Sequence, residues 1–313
     1  MPSFLEVFGD VPLRSVFEDK TPVSLVGDDL PWVLLPPESF MAYAKGLKRV
    51  SFDFLPENPN VYRADTTFLI SQIHRIWLTL LKVIQYLPAG DDVLLLSLGA
   101  FPFALEKALR QYFRRSCRII STVNQSLAED AHRDLDEQGI ELAAVNLDPL
   151  VVVPDRLPGM TDVIPLDDHS VDFVLFAHVI EHLYHPVQIL REVHRVLKAK
   201  GKLLVSTDNA FLLGAFLNFL GANKFVHEPV EGTAAMVFHE WRGHVRFYSE
   251  ADLTTLLDAA NLTAIDKEYV EVYYDSVPSE FFVSPNVSIP AWRANLLTEV
   301  PTFRNEIMVV AEK

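Results

Sequence analysis

From Asp65 to Leu87 the apolar residues Phe68, Leu69, Ile73, Ile76, Trp77, Leu80, Leu81 and Ile84 recur at three- and four-residue spacing. That spacing predicts an amphipathic helix, closed by Pro88-Ala89-Gly90. Beyond it the pattern becomes a regular alternation. Val93–Leu98 is a short, almost wholly apolar run, as expected of a strand buried on both faces. Ala104, Leu105, Ala108, Leu109 and Tyr112 form one helical stripe within Phe103–Phe113, and Ile119–Val123 reads as a second strand. Leu127–Gln138 is a polar helix stopped by Gly139, followed by strands at Leu142–Leu147 and Val171–Ala177.

The next helix carries the fullest set of end signals. Pro186 fits its first turn. Ile189, Leu190, Val193, Val196 and Leu197 make its buried stripe, and Lys198 and Lys200 suit the negative end of its dipole. Gly201 is expected as its left-handed cap. Lys202–Thr207 is then a fifth strand. Ser249 with Asp252 has the spacing of a capping box, opening a helix that buries Leu253, Leu256 and Leu257. Thr263–Tyr274 and Glu306–Ala311 supply the last two strands.

Strand and helix in steady alternation predict an α/β fold, a doubly wound and mostly parallel sheet with helices on both faces. Such sheets bind ligands at the carboxyl ends of their strands, where the strand order reverses. Residues 1–60 do not share the alternation and hold eight prolines, from Pro2 to Pro59. We expect an N-terminal extension over 1–64 packed on an α/β domain over 65–313, with 209–248 inserted to cover a substrate. The extension is left open between a lid and a homodimer contact.

The formal charge of −15 repels phosphate backbones, so nucleic acid is not an expected partner. The single cysteine, Cys117, permits no disulfide within the chain and suits a reducing, cytoplasmic setting. Met1–Asp10 lacks the basic start and apolar stretch of a signal peptide. The longest uncharged apolar stretch, Asn209–Asn223, is too short for a membrane span. Within it Phe211, Leu212, Leu213, Phe216, Leu217, Phe219 and Leu220 read as a packed helix or as a lid over an apolar substrate.

The most informative stretch runs from Asp162 to Asn209. It contains Ile164-Pro165, the acidic turn Asp167-Asp168, Val171-Asp172, Glu181-His182-Leu183, Arg195-Val196-Leu197-Lys198, Gly201 and Asn209, in that order. This resembles the second half of class I S-adenosylmethionine-dependent methyltransferases. Two further segments are similar to the same family: the passage from His239 to Leu262, and the final Arg304–Lys313, which looks like its antiparallel seventh strand. The resemblance implies a seven-stranded Rossmann-like methyltransferase fold, S-adenosylmethionine as cofactor, and a small molecule as acceptor of the methyl group, with oxygen the preferred atom.

The first half of the chain departs from the family pattern. At the first strand-to-helix turn the family has an acidic residue and three glycines; here Ser97 takes the acidic place, Gly99 is kept, and Phe101 and Phe103 replace the other two. Asn124 stands where the family has a carboxylate for the ribose hydroxyls, and Asp148 matches the acidic residue near the adenine. The resemblance assigns cofactor contacts to Gly99, Ala100, Phe101, Asn124, Gln125, Asp148 and Ala177. His178, His182 and His244 are candidates for a proton acceptor, because histidine as a residue type titrates near neutrality. His227, Glu228, His239 and Glu240 form with His244 a polar cluster that could contact substrate.

Two readings from other classes compete. The eroded turn suits a binding or scaffold protein that kept the fold without the cofactor. His178-Val179-Ile180-Glu181-His182 matches a zinc-peptidase pattern, but that chemistry needs both histidines on one continuous helix, and His178 directly follows an apolar strand.

Overall fold

The computed structural model describes residues 18–25, 30–47, 72–124, 126–151, 156–222, 244–272 and 288–313. The main sheet holds seven strands: β2 (Leu94–Ser97), β3 (Arg118–Val123), β4 (Ile140–Ala144), β5 (Val171–Ala177), β6 (Leu197–Asp208), β7 (Thr263–Val270) and β9 (Glu306–Glu312). Their order is β4-β3-β2-β5-β6-β9-β7. The pairs β2–β3, β3–β4, β2–β5 and β5–β6 are parallel, and β9 runs against both β6 and β7. The doubly wound sheet with an antiparallel last strand is therefore as expected.

The period of two along each strand builds two cores. Leu95, Phe173, Leu175, Leu204 and Met308 face one side, with Ile76 and Leu80 of α2 (Ile73–Tyr86), Leu109 of α3 (Ala104–Gln111) and Leu135 of α4 (Glu129–Glu137). Leu96, Val174, Phe176, Val205 and Ile307 face the other, with Leu190 and Val193 of α5 (Pro186–Val196) and Leu253 and Leu257 of α7 (Glu250–Asp258). α6 (Leu213–Ala222) lies between α5 and α7 in the chain. Each fully buried Leu or Phe contributes about 1.5–3 kcal/mol, so the two cores carry most of the fold's stability.

The described part of the N-terminal extension packs on this body. β1 (Pro22–Ser24) pairs antiparallel with β8 (Ser288–Pro290), which leads into α8 (Ala291–Glu299). α1 (Glu38–Lys45) places Phe40 4.9 Å from the Trp77 ring and 5.1 Å from the Tyr112 ring. Among the described residues no helix is long and apolar enough to cross a membrane.

Three local expectations are corrected. The strand expected at Leu142–Leu147 runs instead over Ile140–Ala144, and Val145, past its end, bridges Thr161. The α5 helix ends at Val196, and strand backbone starts at once with Leu197. The left-handed residue there is Lys200 (φ 66°), not Gly201. Gly201 is required for a different reason: a Cβ would stand 2.8 Å from the Lys198 carbonyl oxygen. The capping box is present as expected, with Ser249 accepting from the Asp252 N–H and the Asp252 carboxylate accepting from the Ser249 N–H. The first residues of the expected helix from Asp65, and the expected strand end at Tyr274, lie outside the described residues.

Candidate active site

The chain leaves β2, winds outward through β3 and β4, and returns to β5 on the other side of β2. The carboxyl ends of β2 and β5 are thus the switch point, where side chains from two loops face one crevice. Gly99, Ala100, Phe101, Glu106, Ala177 and His178 are among the residues lining that crevice.

The turn after β2 is shaped by its backbone. Gly99 has φ +65°, and a Cβ there would lie 2.7 Å from Val179 Cγ2, so glycine alone fits. Its N–H donates to Thr122 Oγ1 at 2.9 Å, tying the turn to the end of β3. The Phe103 N–H donates to the Ala100 carbonyl at 2.6 Å, closing a tight loop before α3. The two phenylalanines that replace family glycines go different ways. Phe103 is fully buried in the core, whereas Phe101 is half-buried and lines the crevice. Glu106, in the first turn of α3, is buried and accepts a hydrogen bond from the Ser97 hydroxyl. Burial raises the Glu106 carboxyl to about 7, against the lowering effect of Ser97, its own backbone and Lys107.

The expected cofactor residues are distributed unevenly. Ala100 is buried beside Gly99, and Ala177 closes β5 on the same crevice. Asn124 is exposed just beyond β3. Asp148 is 1% exposed, and its carboxylate accepts from the Tyr184 N–H at 2.8 Å and from His185 Nδ1 at 3.0 Å. It therefore anchors the loop that leads into α5. Gln125, His227, Glu228, His239 and Glu240 lie outside the described residues.

A charged cluster sits past the ends of β5 and β6. His178 adopts φ 52° directly after β5, and its backbone N–H donates to the Ser206 carbonyl. Its ring bridges two buried carboxylates, with Nδ1 3.2 Å from Glu181 and Nε2 3.0 Å from Glu306. Burial and Arg75 push the His178 imidazole down, but Glu306 and Glu181 outweigh them and hold it at about 9. His178 is thus a cation near neutral pH. Glu181 also accepts from Thr207 Oγ1 at 3.0 Å.

His244 reaches the same edge because the Val245 N–H donates to the Glu181 carbonyl and Tyr248 bridges Asn209. Its Nδ1 lies 3.1 Å from the Asp208 carboxylate. Burial would raise Asp208, but the His244 hydrogen bond and the charges of His178, His244 and Arg75 hold it at about 2. The rings of His182 and His244 meet edge to face at 4.9 Å. Ligand-type atoms of Glu181, His182 and His244 come within 4.8 Å of one another, as do those of His178, Glu181 and Asp208. His178 and His182 do not share a continuous helix: a strand end and the short 3-10 turn Ile180–His182 separate them. The zinc-peptidase arrangement is therefore not formed.

Sequence reading singled out the three histidines but missed Glu106, Asp208 and Glu306. Asp208 closes a strand at the ligand-binding end, which was a usable signal. Glu106 and Glu306 read as an ordinary first-turn acid and a strand start.

The family model described as "Methyltransferase domain" matches residues 117–205. A probable S-adenosylmethionine-dependent methyltransferase of Mycolicibacterium smegmatis is 34% identical over 103 residues, 33% of this chain and 33% of that protein. Another from Mycobacterium tuberculosis is 50% identical over 46 residues, 15% of this chain and 17% of that protein. The chain thus spans a third or less of the length of the curated relatives it matches. Among solved structures, a SAM-dependent methyltransferase from Archaeoglobus fulgidus aligns with TM-score 0.45 at 15% identity, covering 80% of this chain and 100% of that one. The cyclase SpnF aligns with TM-score 0.49 at 17% identity, covering 88% and 91%. Over residues 117–205, from β3 into β6, the chain is thus similar to the methyltransferase domain family.

Proposed function

We propose that the protein binds S-adenosylmethionine at the Gly99 turn and transfers its methyl group to an oxygen of a small molecule. The residues fit such a cofactor. The turn keeps the one glycine whose Cβ would collide, and Phe103 is drawn into the core instead of filling the crevice. Gly99, Ala100, Phe101 and Ala177 would form the wall against it, with Asn124 just beyond β3 and Asp148 fixing the loop before α5. When bound, the cofactor supplies a methyl group already activated on a sulfonium. The protein has then to orient the acceptor, exclude water and remove a proton.

The observation that carries the reading is the Asp208–His244 pair. Asp208 stays ionised and faces the imidazole through Nδ1, and the ring is the group we assign to take a proton from a hydroxyl. His178 serves differently: as a cation between Glu181 and Glu306 it fixes the floor of the site and is not the base. His182, edge to face with His244, holds that ring in place. Phe101 and Ala177 give the crevice an apolar wall suited to an apolar acceptor.

The test is transfer of labelled methyl to a panel of hydroxylated small molecules. His244→Asn is expected to lower kcat by roughly 10²–10⁴-fold. Label recovered on nitrogen or carbon, or an unaffected His244→Asn enzyme, would refute the oxygen reading. Ser97 and Asn124, standing where the family has carboxylates, favour a second reading, a binding protein without catalysis. Titration with S-adenosylhomocysteine separates the two, since that reading predicts no binding.

A further inference from the structure

Glu106 is the buried acid on the crevice lining that the mechanism above leaves unused. One of its oxygens accepts from Ser97, while the other, Oε2, is buried with no hydrogen-bond partner. An orphaned buried acceptor destabilises a fold, and more so when it is charged. The neighbouring Lys107 does not relieve it, because its ammonium is paired with Asp134 on α4. Such an arrangement is retained where a ligand completes it. The crevice calls for a donor that is cationic and carries N–H groups.

We propose that Glu106, steadied by Ser97, accepts the ammonium at the amino-acid end of the bound cofactor. The inference rests on the cofactor reading given above and goes beyond it. The cofactor has two cationic centres, but the sulfonium has no hydrogen to donate, so only the ammonium can satisfy Oε2. Burial holds the free carboxyl near 7, and an arriving cation draws the remaining proton off it. The geometry also accounts for Ser97. The carboxylate missing from the end of β2 is supplied nine residues later, from the first turn of α3, and Ser97 is the hydroxyl that aims it.

The experiment is calorimetric titration with two probes, S-adenosylhomocysteine, which carries the ammonium, and 5′-methylthioadenosine, which lacks the amino-acid end. Glu106→Gln keeps the shape and the Ser97 contact but not the charge. It is expected to weaken S-adenosylhomocysteine about 10- to 100-fold and to leave 5′-methylthioadenosine unchanged. Adding Ser97→Asp to that variant is expected to restore most of the loss. Should Glu106→Gln not fold, Ser97→Ala reads the same contact, with a several-fold loss confined to S-adenosylhomocysteine. Wild-type binding that neither Glu106→Gln nor Ser97→Ala alters, or that falls equally for both probes, overturns the inference alone. A wild-type protein that binds neither probe overturns the cofactor reading and this inference together.

Discussion

Gly99→Ala is the sharpest test of how the turn is built. Two separable terms act. At φ +65° an alanine is held in the left-handed region, at a cost of roughly 1–2 kcal/mol. Its Cβ would stand 2.7 Å from Val179 Cγ2 and 3.1 Å from Cγ1, an overpacking of the kind that costs about 1–3 kcal/mol. Together they predict a loss of roughly 2–5 kcal/mol, or a fall in Tm of roughly 5–15 °C. The steric term is shared with one neighbour, and a double-mutant cycle isolates it. Combined with Val179→Ala, the substitution should recover roughly 1–3 kcal/mol, while the backbone term remains. Denaturant midpoints of the four proteins, read by tryptophan fluorescence, give both numbers. A Gly99→Ala protein within about 0.5 kcal/mol of wild type would refute the close approach, since that is the scatter of unconstrained surface changes. Recovery of nothing by Val179→Ala would show that the contact is relieved elsewhere.

Two further outcomes follow from named contacts. His178 is raised to about 9 in the folded protein, against ~6.5 for an unfolded histidine. Its contribution to stability is therefore complete below pH ~6.5 and is lost as the pH rises through about 9. The denaturant midpoint should fall over that range in wild type and fall less in His178→Gln; equal slopes would refute the bridge to Glu181 and Glu306. Ser249→Ala removes one half of the capping box on α7 and should destabilise by about 1 kcal/mol, a drop in Tm of roughly 2–4 °C. An unchanged Tm would mean that the Asp252 half suffices.

The parts of the fold that sequence reveals are those where burial follows period. Val171–Ala177 is apolar throughout because β5 is covered on both faces, and it is found at the bounds expected. At the sheet edge the signal weakens. β4 buries only Ile140 fully, so the apolar run that continues to Val145 and Leu147 gives no cue to where pairing stops. The capping box was legible since both partners lie within one turn. Gly201 is not legible in the same way, because a glycine after a helix is consistent equally with a left-handed cap and with a close approach, and the two differ only in backbone conformation and neighbours. At the site, histidines announce themselves by residue type. Glu106 and Glu306 do not, since a carboxylate at 0–1% exposure is uncommon and a charged residue is read as solvent-facing.

The charge pattern of the site follows from the direction of one strand. β9 runs against β6, so its first residue, Glu306, stands opposite the last residue of β6, Asp208. A parallel seventh strand would instead bring a carboxyl terminus to this edge and leave Glu306 at the far end of the sheet. The reversal thus adds a buried carboxylate to the Glu181 and Asp208 already gathered past β5 and β6. Like charges so close disfavour one another unless cations stand between them. His178 and His244 occupy those positions, each against the carboxylates it faces. One of them is bridged on both sides and fixed as a cation; the other faces a single carboxylate, Asp208, through Nδ1. Two histidines on the same edge of the same sheet thus differ in the number of carboxylates the ion pairs give each one.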